Sequence, residues 1–324
     1  MDLYPSQEQR DLASAVREVL AGRASGGGGA APERVWRAAA AQGWFALGLA
    51  GADGGLDGTL ADEAQVFAGI GAAAAEGPFL ATVLAARVAV AAGRRELAEA
   101  LTSGTLRAAH AFAPLDGSDP VQAYDARGAG VLLLIDEERP GARLVEVPGS
   151  AIVADLSSMD PAVSVARLRL DRARVLAEAA DAGTVVSRAS VLVSAMLAGV
   201  AAAATQASVE YAKLREQFGR PIGAFQAISH RCAEMAIRSA AAAAVVDLAA
   251  VSVDECRADA PRRVAAARRF TESAALENAR VNIQNHGAIG FTWEHDAHRL
   301  LKRAWFLALS VQPRDAQTAA LLAG

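Results

Sequence analysis

Leu214-Arg215-Glu216-Gln217-Phe218-Gly219-Arg220-Pro221-Ile222-Gly223-Ala224-Phe225-Gln226 is a polar, glycine-bearing break between two long alanine-rich stretches. Alanine has the highest helix propensity and lets neighbouring helices approach closely, so the flanking runs are expected to be helices over 184–216 and 226–258. Two more are expected at 261–286 and 295–309. Four such segments read as an antiparallel bundle.

Toward the amino terminus, Ser6-Gln7-Glu8-Gln9 has the form of a capping box, and Leu12, Val16, Val19 and Leu20 recur behind it at helical spacing. Gly22 and the run Ser25-Gly26-Gly27-Gly28-Gly29 are expected to end that helix as a flexible connection, because glycine loses most entropy on ordering. Further helices are predicted at 32–42, with Pro32 in the first turn where its missing N–H costs nothing, and at 59–75, 78–92 and 94–102. From about 107 to 174 the pattern changes to short apolar or alternating runs. These are Val131-Leu132-Leu133-Leu134-Ile135, Arg143-Leu144-Val145-Glu146-Val147 and the stretch 163–170, with turns at Pro140-Gly141 and Pro148-Gly149. The expectation is a mostly α chain with a small central β domain: helical over 1–106, β over 107–176, and a four-helix bundle over 177–324.

With 324 residues and 53% hydrophobic content, the chain can bury a sizeable core without staples. Lys plus Arg total 32 against 36 Asp plus Glu, and the resulting charge of −4 gives no field to gather nucleic acid. The alanine-rich runs are broken by charge short of the roughly 18 clean positions a bilayer needs, so no membrane span is expected. Cys232 and Cys256 lie outside paired metal-ligand spacing and read as small core residues, and 1–24 is amphipathic rather than a signal sequence. The expected compartment is the cytoplasm.

Two segments carry chemistry. The break at 214–226 exposes Arg215 and free amides near helix ends, an arrangement suited to phosphate oxygens, although local chemistry alone favours a tight helix–helix turn with a surface arginine. In Asn282-Ile283-Gln284-Asn285-His286-Gly287-Ala288-Ile289-Gly290-Phe291-Thr292-Trp293-Glu294-His295-Asp296, the glycines at 287 and 290 permit close approach of a ligand. Gln284 offers a donor and an acceptor to a ribose or adenine edge. His295 and His298, beside Glu294 and Asp296, suggest either a metal site or a solvated first helical turn; no third ligand stands at familiar spacing, and no metal is expected.

Taken together and in this order, the two segments resemble the acyl-CoA dehydrogenase family. Arg-Glu-Gln-Phe-Gly-Arg-Pro-Ile-Gly-x-Phe-Gln at 215–226, then His230 and Ala233-Glu234-Met235, is similar to its flavin-contacting turn, and 284–296 to its Gln-x-His-Gly-Gly-Ile-Gly-Phe-Thr-Trp-Glu-His-Asp signature. Gly43-Trp44-Phe45-Ala46-Leu47-Gly48-Leu49, Gly54-Gly55-Leu56 and Gly77-Pro78-Phe79 resemble its amino-terminal domain. The resemblance implies a helical domain, a β-barrel-like domain and a carboxy-terminal four-helix bundle. It also implies FAD at a subunit interface and an acyl-CoA substrate. By that resemblance Arg215, Gln217, Phe218, Gln226, Gln284, Gly287 and Ala288 are the candidate FAD contacts, with Ala288 standing where the family carries a second glycine.

The family removes the substrate α-proton with a glutamate while the β-hydrogen leaves as hydride to the flavin. Counting from Gly290-Phe291 puts that glutamate's usual position at about Val311, and the alternative position near Ala189; neither is a carboxylate, so no catalytic residue is assigned. The family's Thr-Glu-Pro loop survives at best as a remnant at 111–119, and no tryptophan lies between Trp44 and Trp293 to serve its Trp-x-Thr strand. The implied role is the partner subunit of a heterodimer or α2β2 heterotetramer, completing a homologous catalytic subunit's flavin site. A self-sufficient homomer with Glu294 or Glu210 as a displaced base, and a flavin-free scaffold, remain as alternatives. Arg188 reads as a contact for CoA phosphates or as a salt bridge.

Overall fold

The computed structural model describes residues 5–21, 32–112, 120–135, 141–170, 173–180, 182–311 and 314–322. The glycine run at 25–29, most of the loop at 111–119, and Pro140 lie outside the described residues. The described chain forms two compact units, one from 29–63 and 76–189, the other from 1–28, 64–75 and 190–324. The division falls inside helices α3 (Leu60–Ala72) and α6 (Ala182–Leu214).

The first unit sets α2 (Pro32–Ala41), α4 (Phe79–Ala91) and α5 (Arg95–Thr102) with a seven-stranded mixed sheet. Its strands are β1 (Ala108–Phe112), β2 (Val121–Tyr124), β3 (Val131–Ile135), β4 (Ala142–Glu146), β5 (Ile152–Leu156), β6 (Val165–Leu168) and β7 (Val175–Ala179), in the order β5-β6-β2-β1-β3-β4-β7. β1 and β3 run parallel, with Ala108 opposite Val131, and the other pairs are antiparallel. Helix α4 is apolar on nearly every side because it is buried on nearly every side. Trp36, Phe45 and Phe79 pack ring against ring beside it, and Trp36 Nε1 donates to Gly104 O at 2.8 Å. Glu63, 1% exposed, accepts from Arg188 Nη2 at 2.6 Å and Arg87 Nη2 at 3.1 Å. Arg188 therefore makes a salt bridge.

One polar side chain of the sheet has no such compensation. His110 on β1 is buried between Phe112 and Tyr124, with neither ring nitrogen hydrogen-bonded, and burial pushes its pKa down to about 4. Unfolding frees the ring to bind a proton. Stability is thus full above about pH 6.5 and falls as pH drops toward 4.

In the second unit the capping box forms as expected: Gln9 N donates to Ser6 Oγ at 3.1 Å and Ser6 N to Gln9 Oε1 at 3.0 Å, opening α1 (Gln7–Leu20). The bundle comprises α6, α7 (Gln226–Asp254), α8 (Ala260–His286) and α9 (Ala297–Leu309), and a short α10 (Arg314–Leu322) that the sequence reading does not anticipate. Helices α3 and α6 cross backbone to backbone. A Cβ on Gly199 would stand 1.9 Å from Ala68 O, and one on Gly71 2.0 Å from Met196 O. Cys256 is exposed with φ 50, because α7 stops at Asp254 instead of running to 258; the expectation of a core cysteine fails there.

Two helices are long and apolar enough to cross a membrane by length and composition, which corrects the expectation that charge interrupts every such run. In α6 the apolar window is 89% buried and is explained by the core, whereas in α7 it is only 28% buried. Ala236, Ile237, Ala240, Ala243 and Ala244 leave an apolar stripe of α7 uncovered.

Gly199→Ala should destabilise the chain by about 3 kcal/mol or more, since no backbone shift relieves both neighbours, as urea unfolding would measure. His110→Leu should flatten the acid limb of the stability curve, removing about 3 kcal/mol of loss between pH 6.5 and 4. Chemical denaturation across that range is the check.

Candidate functional site

Helix α6 runs directly into a minimal hairpin. Arg215 N donates to Tyr211 O at 2.8 Å, closing the last turn, and Ile222 N donates to Arg215 O at 2.8 Å. β8 (Glu216–Gln217) pairs with β9 (Arg220–Pro221), Gln217 opposite Arg220, leaving Phe218 and Gly219 as a two-residue turn. Their φ values of 53° and 76° are both left-handed, as a type I′ turn demands. Glycine accepts this freely, but a phenylalanine there is strained by roughly 1 kcal/mol or more. Phe218 is also 93% exposed, and its one ring contact among the described residues is edge-on against Phe225 at 6.1 Å.

Behind the turn, Arg220 lies over the Phe225 ring at 4.2 Å. Arg215 is exposed, and its guanidinium has no hydrogen bond or ion pair among the described residues. Gln226 is exposed as the first residue of α7; the N-cap Phe225 supplies no side-chain acceptor, and Ile228 N already donates to Phe225 O at 2.9 Å, which leaves the Gln226 and Ala227 amides as the donors at this helix end. Gln217 Nε2 is turned back onto Glu216 O at 2.7 Å.

The second segment is the end of α8. Gly287, at φ 64° and ψ −141°, stops the helix, and a Cβ built on it would meet nothing within 4 Å. Gly290 differs: a Cβ there would lie 2.6 Å from Ile283 O, so this glycine serves internal packing and not a ligand. Gln284 and Ala288 are exposed, and Phe291 at 72% and Trp293 at 77% extend the bare surface. His295 Nδ1 accepts from Ala297 N at 3.1 Å and Asp296 pairs with Arg299 at 3.3 Å, which is the first-turn role for these groups.

Contacts absent from the sequence reading hold the two segments at one end of the bundle. Tyr211 stacks on His286 at 4.2 Å, and Asn285 Nδ2 donates to Ser208 Oγ at 2.7 Å, binding the last turn of α8 to the last turns of α6. The His286 pKa is lowered, first by burial, against a raising hydrogen bond to Asn282 O and with a further lowering from His295. The available signal was spacing, since Tyr211 precedes Arg215 by one helical turn.

The positions counted for a base are closed. Val311 is 1% exposed and Ala189 is fully buried. Glu294 is exposed, and Glu210, also exposed, accepts from Gln206 Nε2 at 2.5 Å. Glu272, buried on α8, is held by Arg314 and by Arg269 at 3.7 Å. On β3, Val131 to Ile135 are all buried aliphatics.

The family model described as acyl-CoA dehydrogenase, C-terminal domain, matches residues 165–309. The chain is 37% identical over 273 residues to acyl-CoA dehydrogenase IpdE2 of Mycobacterium tuberculosis, covering 84% of this chain and 80% of that protein. It is 32% identical to acyl-CoA dehydrogenase FadE34 of the same organism over 91% of this chain but 45% of that protein, so it spans under half of FadE34's length. The fold superposes on the ChsE4-ChsE5 complex of Mycobacterium tuberculosis with a TM-score of 0.79 at 21% identity, over 98% of this chain and 97% of that one.

Gly287→Ala should cost about 1–3 kcal/mol through backbone strain alone, because the space beyond it is open. Thermal unfolding of the variant reads this out.

Proposed function

Because the chain belongs to the acyl-CoA dehydrogenase family, we propose that it is the subunit of a heteromeric acyl-CoA dehydrogenase that completes the FAD site without supplying the base. The observation that carries this reading is an asymmetry. Groups fitted to a dinucleotide are displayed and unsatisfied, while Val311 and Ala189 fill the two base positions with buried apolar side chains.

The residues present fit the cofactor's adenosine diphosphate half. Arg215 and the Gln226 and Ala227 amides of α7 offer charge and donors to a pyrophosphate, and Gln284 offers an amide edge to ribose or adenine. Gly287, with no obstruction above it, lets the backbone approach closely. Phe218, strained and bare, has a surface to pack against once a partner covers the hairpin. When bound, FAD would supply the hydride acceptor for the β-hydrogen of the acyl-CoA, and a carboxylate of the partner subunit would take the α-proton.

A homologous partner is further supported by the uncovered stripe of α7 and by the exposed Leu214, Phe291 and Trp293, apolar groups of the kind that mark interaction surfaces. The match to less than half of FadE34 leaves that protein room for a second segment of similar size, and ChsE4-ChsE5 is named as a complex of two proteins.

Coexpression with a homologous subunit should yield a yellow complex with one FAD per heterodimer, and the isolated chain should turn over no acyl-CoA. Arg215→Ala in the complex should weaken FAD binding by about 10- to 100-fold, the worth of one or two charge-assisted hydrogen bonds. Robust dye reduction by the isolated chain, or unchanged flavin content in the variant, would overturn the assignment.

A further inference from the structure

His286, the last residue of α8, sits in a column of three rings. Tyr211 of α6 stacks on it at 4.2 Å with 28° between the planes, and His295, just ahead of α9, lies at 4.3 Å and 47°. The column joins the ends of α6 and α8 to the entry of α9, and His286 within it is only 5% exposed. The two imidazoles are held through Nδ1 in opposite senses. Asn282 O can only accept, so His286 Nδ1 carries a proton and donates to it at 2.8 Å. Ala297 N can only donate, so His295 Nδ1 is a bare lone pair accepting at 3.1 Å, and that ring is neutral with its proton on Nε2.

An imidazolium carries N–H on both nitrogens and has no acceptor. Protonation of His295 therefore ends its bond to Ala297 N, and it sets a positive charge at the amino-terminal end of α9, where the helix dipole opposes it. Protonation of His286 is resisted first by burial, which holds its pKa below the ordinary value; the bond to Asn282 O works the other way, and the charge of His295 lowers it further. Neither ring has an ion-pair partner among the described residues. The neighbouring elements supply little else that titrates: Tyr211 from α6, Cys232 from α7 through Asn285 Nδ2 at 3.9 Å, and methyl groups alone from Ala72, Ala73 and Ala74, which share a cavity wall with His295. On the segment itself, Asp296 is paired with Arg299, Glu294 is exposed, and His298 donates Nδ1 to His295 O at 2.8 Å, a bond that survives protonation of the donor.

We infer that the His286–His295 pair is a proton-operated clasp: with both imidazoles neutral it fastens the turn at 287–296 to the ends of α6 and α8, and proton uptake releases that turn. A histidine whose proton affinity folding depresses stabilises fully above its unfolded pKa of about 6.5, so the clasp holds there and weakens as pH falls below that value. Gln284 precedes the turn and Gly287 and Ala288 open it. The consequence for FAD, a looser grip in acid, rests on the reading of these three residues as its contacts.

The test is amide hydrogen exchange of the full chain, read by mass spectrometry and corrected for the intrinsic pH dependence of exchange. Between about pH 7.5 and about pH 5.5, protection over 287–300 should fall about tenfold, the worth of one lost hydrogen bond, while β3 stays protected and so excludes global unfolding. His295→Asn keeps an oxygen that can accept from Ala297 N but binds no proton, and His286→Phe keeps a ring in the stack; each should cut that fall to about threefold or less. Circular dichroism identifies a variant that fails to fold, and the other then decides. Protection that does not change with pH, or an equal fall in both variants, would overturn the clasp. In the heteromeric complex, FAD affinity should drop over the same range and drop less in His295→Asn. An affinity that ignores pH while the turn opens overturns the link to flavin, whereas absence of FAD at every pH counts against the flavin-site reading and leaves the exchange result to decide the clasp.

Discussion

The polar seam along α8 is the constraint from which the functional end of the bundle follows. Asn278 is fully buried, accepts from Arg238 Nε at 2.9 Å, and points its amide at Met235 O at 2.9 Å, Ser239 Oγ at 3.0 Å and Thr205 Oγ1 at 3.1 Å. A one-residue slip of α6 or α7 against α8 would strand several of these groups, at a cost far above that of repacking alanine methyls. Alanine-rich helices have little shape with which to choose a register, so buried hydrogen bonds choose it. Two turns further along, the same logic operates through Asn285 with Ser208 and through the Tyr211–His286 stack.

That register determines what the end of the bundle displays. With α6 and α8 locked, the hairpin at 216–221 and the turn after His286 emerge from neighbouring helix ends. The groups shown there are of two kinds, hydrogen-bonding side chains without partners among the described residues, such as Arg215, Gln226 and Gln284, and exposed aromatics such as Phe218 and Trp293. Either kind alone is common on a protein surface. Their combination, with a phenylalanine held in a left-handed turn residue, is what the proposed role as a flavin-completing subunit rests on.

Much of this was readable because it rests on local chemistry. Ser6 and Gln9 announce the first helix through atoms three residues apart, and Val131 to Ile135 announce a buried strand by being apolar without interruption. The strands β1, β2, β5 and β7 were less legible as individual runs. In β1, Ala-Ala-His-Ala-Phe has the composition of a helix, and it is a strand because β3 pairs with it along its whole length. Helix α10 was missed because its anchor, Arg314 on Glu272, joins residues 42 positions apart. Gly290 was misread for a related reason, since only the fold brings Ile283 O beneath it.

By itself the sequence determined most of the helices, the strands at β3, β4 and β6, the two signature segments and the lack of a carboxylate at 189 and 311, since periodicity, capping, motif identity and residue type are properties of neighbouring residues. The tertiary structure alone decided that Arg188 is spent on Glu63, that Gly290 faces protein while Gly287 faces open space, and that Asn282 is buried with both amide atoms unpaired among the described residues. Burial, pairing and vacancy depend on what distant segments place around a side chain, and an alanine-rich chain encodes those placements in a few long-range hydrogen bonds and not in any local pattern.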